Sequence, residues 1–196
     1  MRLIAGFFFC VNLVTSLGLT AGFALAEKNL DPPATYKTNW TSGQQSAMPN
    51  PRFKKKEVSY TTAESPGTIV IETSSKYLFL VLGNGKALRY GVGVGREGFA
   101  WKGEERVSRK AEWPAWHPPK EMLVREPDLP EMVEGGPESP LGARAIYLGN
   151  TEYRIHGTLY PGTIGHSVSS GCIRLTNDDV IDLYGRVKIG AKVIVN

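Results

Sequence analysis

Thr68-Ile-Val-Ile-Glu72, Lys76-Tyr-Leu-Phe-Leu-Val-Leu82 and Lys86-Ala-Leu-Arg-Tyr-Gly-Val-Gly-Val94 are three consecutive runs rich in β-branched, aromatic and leucine side chains. Ser74-Ser75 and Gly83-Asn84-Gly85 punctuate them. Such runs between turn residues read as strands. Asn84-Gly85 supplies two residues that tolerate positive φ, which is what a two-residue hairpin demands. The segment from Thr68 to Val94 therefore predicts a three-stranded meander.

Toward the C-terminus the rhythm breaks. Residues 95–140 carry Trp101, Trp113, Trp116, His117 and many prolines and glycines, which predicts a long irregular, lid-like loop. Loops of that length in compact domains usually bind or gate; the aromatics would either line a groove for an extended polymer or pin the loop to the sheet. Strands resume at Ala145-Ile-Tyr-Leu148 and Glu152-Tyr-Arg-Ile-His156. Asn177 is read as the cap of a short helix, with Asp178 and Asp179 in its first turn and Val180, Leu183, Tyr184 and Val187 at helical spacing. Lys192-Val-Ile-Val195 closes the domain as a strand. The fold class is thus mainly β: a sandwich- or barrel-like domain over residues 67–196, with one short C-terminal helix and the lid-like loop.

Toward the N-terminus, residues 27–66 are rich in Pro, Thr, Ser, Asn, Gln and Lys without an apolar period, and are expected to be a flexible polar tether. Residues 1–26 read as a secretory signal peptide: Arg2, an apolar stretch from Leu3 to Leu25, and Ala24-Leu25-Ala26 as the small-x-small cleavage pattern. The competing reading is an uncleaved anchor. Bulky Phe7-Phe8-Phe9 before Cys10 argues against a lipid-modified cysteine. The expected location is the periplasm or cell envelope, with membrane contact only through the signal segment.

With 196 residues and 41% apolar content the chain can bury one domain's core. A net charge of +4 suits any polyanionic surface. No run resembles a nucleic-acid motif, and the basic cluster Lys54-Lys55-Lys56 lies in the polar stretch, as a solvated linker would.

Loss of the leader leaves Cys172 as a lone thiol in an oxidising compartment, where cysteines usually pair. Burial, an intermolecular bridge or chemistry would each account for it. Its neighbours favour chemistry. Ile155-His156-Gly157-Thr158 ends a predicted strand, and Ser169-Ser170-Gly171-Cys172-Ile173-Arg174-Leu175 precedes the helix. An imidazole beside a thiol can draw off its proton to give the nucleophilic thiolate. Gly171 lets the backbone approach a bound carbonyl, so that N–H groups around Gly171 and Cys172 can hold an oxyanion. His117 and His166 lack metal-ligand spacing with each other or with Cys172, so no metal is expected, and without a Cys-x-x-Cys pair a thiol redox site is disfavoured.

His-Gly-Thr, a glycine-containing loop, then Ser-x-Gly-Cys-Ile-Arg-Leu-x-Asn resembles the signature of the YkuD-type L,D-transpeptidase family. Gly91-Val-Gly-Val-Gly95, Pro140-Leu-Gly-Ala-Arg144 and Tyr153-Arg-Ile-His156 are similar to the family as well, so the resemblance spans about Thr68 to Val195. Ser170 departs from it, because many members carry a basic residue or histidine there. The resemblance implies that Cys172 attacks, that His156 is base and then acid, and that the Gly157 carbonyl orients the imidazole. Gly171, Arg174, Ser169 and Ser170 are the implied oxyanion or substrate contacts, Arg174 either tuning the thiol or holding a carboxylate. His166, Tyr147 and Trp101 are candidates for the substrate loop. No cofactor is implied. The implied partners are peptidoglycan stem peptides and an amine acceptor, either another stem (a 3→3 cross-link) or an envelope protein. Water as acceptor would make a carboxypeptidase. The alternatives from other classes are a catalytically silent wall-binding module and an envelope protein bridged through Cys172.

Overall fold

The hairpin expected at Asn84-Gly85 is present in the computed structural model, which describes residues 48–196. Strands β2 (Ile69–Glu72), β3 (Tyr77–Gly83) and β4 (Lys86–Gly91) form the antiparallel meander, and Gly83 pairs with Lys86 across the two turn residues. Asn84 and Gly85 both have positive φ, 51° and 69°, the conformation that matches the twist of the flanking strands. Before the meander, β1 (Lys56–Ser59) adds to the free edge of β4. After it come β5 (Val94–Gly95), β6 (Gly103–Glu112), α1 (Lys120–Arg125), β7 (Arg144–Leu148), β8 (Arg154–His156), β9 (Ser167–Ser169), β10 (Ile173–Arg174), α2 (Asn177–Arg186) and β11 (Lys192–Val195).

Nine strands run in the order β1-β4-β3-β2-β11-β6-β7-β8-β10, and β5 pairs with β9 separately. The closing strand β11 lies mid-sheet, parallel to β2 and antiparallel to β6. The ten-residue β6 serves two neighbours in turn: Gly103 to Arg106 pair with β11, and Val107 to Glu112 pair with β7 across a register shift. Such a shift bends a strand, and both halves of the sheet then share one core. Ile69, Ile71, Leu78 and Tyr90 from the meander side pack in one cluster with Ile146, Leu148, Ile155 and Leu175, capped by Val180 and Leu183 of α2.

Three local expectations change. Residues 95–140 are not irregular throughout, since they contain β6 and α1. The sequence of β6, Gly-Glu-Glu-Arg-Val-Ser-Arg-Lys-Ala-Glu, buries only Val107, so it lacks the apolar alternation that reveals a strand. Helix α1 buries nothing and starts after Pro119 without a side-chain cap. The cap of α2 is Thr176, whose hydroxyl accepts from the Asp179 N–H at 3.2 Å, one residue before the expected Asn177.

The stretch expected to be a tether overlaps the folded domain from Pro51 onward. Phe53 is buried and tilts against Tyr77, and β1 follows it. The expected leader and the first part of the tether lie outside the described residues. Among the described residues no helix is long and apolar enough to cross a membrane.

The excursion returns to the domain through a tied base. Trp113 N–H donates to the Ala143 carbonyl at 2.9 Å, Trp116 bridges Val133, and the buried Ser139 hydroxyl donates to the Pro114 carbonyl at 2.7 Å. Beyond this base, α1 buries none of its residues, and Val124 is 82% exposed.

Candidate active site

Parallel pairing of β8 with β10 builds the site. Ile155 pairs with Ile173 and His156 with Arg174. Side chains alternate along a strand, so Arg154, His156, Arg174 and the position of Cys172, just ahead of β10, share one face. The register sets Cys172 alongside Arg154, diagonally across from His156. Ile155 and Ile173 on the other face are buried in the core and fix the two strands at this register.

His156 is buried, and its Nδ1 lies 2.5 Å from the Gly157 carbonyl oxygen. A carbonyl only accepts, so Nδ1 carries the proton and Nε2 keeps its lone pair. Burial, then the Arg174 charge and, more weakly, the Arg154 charge push the imidazole down to about 3, against the pull of the Gly157 and Leu141 backbone carbonyls. The ring is therefore neutral at pH 7. Gly157 itself has no room for a side chain, because a Cβ there would overlap Asn177 Oδ1. That same amide oxygen accepts from the Ala143 N–H at 2.9 Å, so the start of α2 locks the His156-Gly157 strand end to the loop before β7.

Cys172 is half-buried and its thiol faces the Glu152 carbonyl at 3.8 Å. Burial raises its pKa, while the Arg154 charge, an interaction with the Arg154 backbone and the Arg174 charge oppose the rise. The resting pair is thus a neutral thiol and a neutral imidazole. The two guanidiniums supply the field that favours a thiolate once it forms. Arg154 was not singled out in the sequence. Strand alternation, which puts position 154 on the face of 156, is the signal that could have found it.

Gly171, with φ +106°, is the sharp point of the turn that presents Cys172. A Cβ there would come within 2.5 Å of Tyr153 Cε1. Its N–H donates to the buried Ser169 hydroxyl at 3.2 Å, and the same hydroxyl donates to the Cys172 carbonyl at 2.5 Å. Ser169 therefore shapes the turn and does not face solvent, and the Gly171 N–H is already engaged; this changes the expected oxyanion donors. Among the described residues the Cys172 N–H meets no acceptor. Ser170 accepts from Arg96 Nη1 at 3.2 Å, and Arg96 stacks on Phe99. A guanidinium from the β5 end thus stands beside the position where the sequence departs from the resembled pattern.

The other candidates fall as follows. Trp101 stacks flat on Tyr153, centroids 4.4 Å apart, and donates its indole N–H to the Gly171 carbonyl at 2.9 Å. Tyr147 lies on β7 between the guanidiniums of Arg109 and Arg154, where it supports Arg154. His166 is exposed, and its backbone carbonyl accepts from Val94 N–H. His117 is exposed too. Among the described residues no three His, Cys, Asp or Glu side chains are grouped as a metal site requires.

Comparison with known proteins speaks to the family and the fold. Residues 66–195 match the family model described as YkuD, L,D-transpeptidase catalytic domain. A protein of Escherichia coli K12 named "Probable L,D-transpeptidase ErfK/SrfK" is 45% identical over 91 residues, 44% of this chain and 29% of that protein, so the matched stretch spans less than a third of that relative. A solved structure described as a "Probable carnitine operon oxidoreductase caia" from Brucella melitensis is 44% identical, covers 75% of this chain and 96% of its own, and superposes with a TM-score of 0.51. The structure of L,D-transpeptidase 3 from Mycobacterium tuberculosis with a faropenem-derived adduct covers 66% of this chain and 59% of its own at 19% identity and a TM-score of 0.52; it speaks for the fold.

Proposed function

The chain belongs to the L,D-transpeptidase family of YkuD-type catalytic domains, and from that membership we propose that it is a cell-envelope acyltransferase acting on peptidoglycan stem peptides, with Cys172 as nucleophile and His156 as proton carrier. The observation that carries this reading is the bond from His156 Nδ1–H to the Gly157 carbonyl, because it orients the ring and leaves the basic lone pair on Nε2. A general base needs that lone pair and an orienting partner.

The chemistry follows from the resting state. Since thiol and imidazole are both neutral, proton transfer accompanies attack. The Cys172 thiol turns from the Glu152 carbonyl toward Nε2; catalytic hydrogen bonds are often loose before substrate binds. As sulfur bonds to the carbonyl carbon of the third stem residue, the S–H proton passes to Nε2. The carbonyl oxygen takes the negative charge and is held by the Cys172 N–H. Collapse breaks the C–N bond, and the imidazolium gives its proton to the departing terminal D-alanine amine, leaving a thioester. An acceptor amine then attacks, His156 takes its proton, and the proton returns to sulfur as the new amide forms. Another stem as acceptor gives a 3→3 cross-link, and an envelope protein gives anchoring. Water as acceptor would give a carboxypeptidase instead.

Arg154 and Arg174 stabilise the anionic sulfur during attack. The thiol, imidazole and guanidiniums gathered here favour acyl transfer over the oxidoreductase activity named for the Brucella protein. The expected site of action is the periplasm, reached through the leader.

Incubation with a defined disaccharide-tetrapeptide, read by mass spectrometry, tests the proposal. Release of D-alanine with a dimer or an acceptor adduct is expected, and both should vanish in Cys172→Ala and His156→Ala. Folded protein that releases no D-alanine, or a Cys172→Ala variant that still does, would refute it.

A further inference from the structure

Trp101 lies far from Cys172 in sequence, yet its indole donates at 2.9 Å to the carbonyl of Gly171. That carbonyl and the Cys172 N–H belong to the same peptide unit, and among the described residues no peptide bond is cis. In a planar trans peptide the C=O and N–H vectors are antiparallel. Whatever fixes the Gly171 carbonyl therefore fixes the direction of the Cys172 N–H.

Two other backbone groups of this turn are already engaged. Ser169 holds the Gly171 N–H and the Cys172 carbonyl, and the Cys172 N–H, like that of Ser170, meets no acceptor among the described residues. Gly171 at φ +106° would otherwise be the soft point about which this peptide could swing. Tyr153 closes the side of Gly171 where a Cβ would stand and stacks on the Trp101 ring at an interplanar angle of 6°. The indole is thus held in place to reach the carbonyl. Accepting a hydrogen bond at C=O also polarises the peptide and strengthens its N–H as a donor.

We propose that Trp101 is a positioning residue for acyl transfer: from the loop after β5 it orients the Gly171–Cys172 peptide so that the Cys172 N–H points at the developing oxyanion. This inference rests on Cys172 being the nucleophile. It moves Trp101 from the substrate-groove role expected from sequence to one exerted through the backbone.

Two reagents separate the roles. Acylation of Cys172 by imipenem opens a strained amide and passes through an oxyanion, whereas alkylation by iodoacetamide displaces iodide and forms none. In Trp101→Phe the ring stays over Tyr153 but the N–H is gone. Imipenem acylation, followed by intact mass, should fall at least about tenfold, with iodoacetamide alkylation held within about twofold of the unsubstituted chain. Benzothienylalanine at position 101, which has the indole's shape but sulfur in place of N–H, should behave as Trp101→Phe does if the hydrogen bond is what matters, and it guards against a packing defect in the phenylalanine variant. Unchanged acylation in both variants would overturn the proposal, as would an equal fall in acylation and alkylation, which would mark a merely collapsed turn. Failure of the unsubstituted chain to be acylated would instead overturn the nucleophile assignment, and this inference with it.

Discussion

At His156 burial, followed by the Arg174 charge, sets the proton inventory of the site. With a folded pKa of about 3 against an ordinary 6.5, the unfolded chain takes up a proton below pH 6.5 that the folded chain refuses until about pH 3. Acidification through that window therefore favours unfolding, at a limiting slope of about 1.4 kcal/mol per pH unit. Urea melts between pH 7 and pH 4 should show this loss, and His156→Gln should flatten it; an equally steep loss in the variant would assign it elsewhere. At Cys172 burial raises the thiol pKa, so iodoacetamide alkylation should keep accelerating beyond pH 9. Arg154→Met should slow it further at fixed pH, because a charge that lowers the thiol pKa is lost, and a plateau at neutral pH would show a preformed thiolate instead. Cys172 and His156 were legible because each sits in a short motif with its glycine. Trp101 and Asn177 were noticed, but not the contacts that define them, since these join chain segments that no local pattern connects; Arg154 was passed over although strand alternation places it on the face of His156.

Among the elements, legibility followed apolar patterning. Strands β2, β3, β7 and β11 show their buried faces in sequence, whereas β6 is held by its neighbours and one buried valine. It also carries a contact that no propensity announces: Lys110 Nζ donates to the Tyr184 and Val187 carbonyls at 2.5 and 2.7 Å, over the Tyr184 ring. A cation at a helix C-terminus is favourable, and these hydrogen bonds satisfy carbonyls that the helix leaves unpaired. Lys110→Met should cost roughly 1–2 kcal/mol in denaturant unfolding. No change would mean that solvent replaces the cap without loss.

Across the whole domain, both halves of the sheet and α2 share one core, and residues before the family match at 66 take part in holding it. Phe53 is buried, and a Cβ at Gly91 or Gly165 would collide with it. Phe53→Ala should cost about 3–5 kcal/mol, and a chain begun at residue 66 should melt below one begun at 48; equal melting temperatures would make the 48–65 segment dispensable. The strand register that this core enforces is what brings the Cys172 turn and His156 to one face, and the account stands on an acyl group being carried by that sulfur. Acid-quenched intact-mass and peptide mapping after brief exposure to a tetrapeptide stem tests this most directly. The account predicts a thioester on Cys172 equal in mass to the donor less D-alanine, absent from Cys172→Ala. Turnover with no acyl group on Cys172, or the same adduct at another residue, would contradict it.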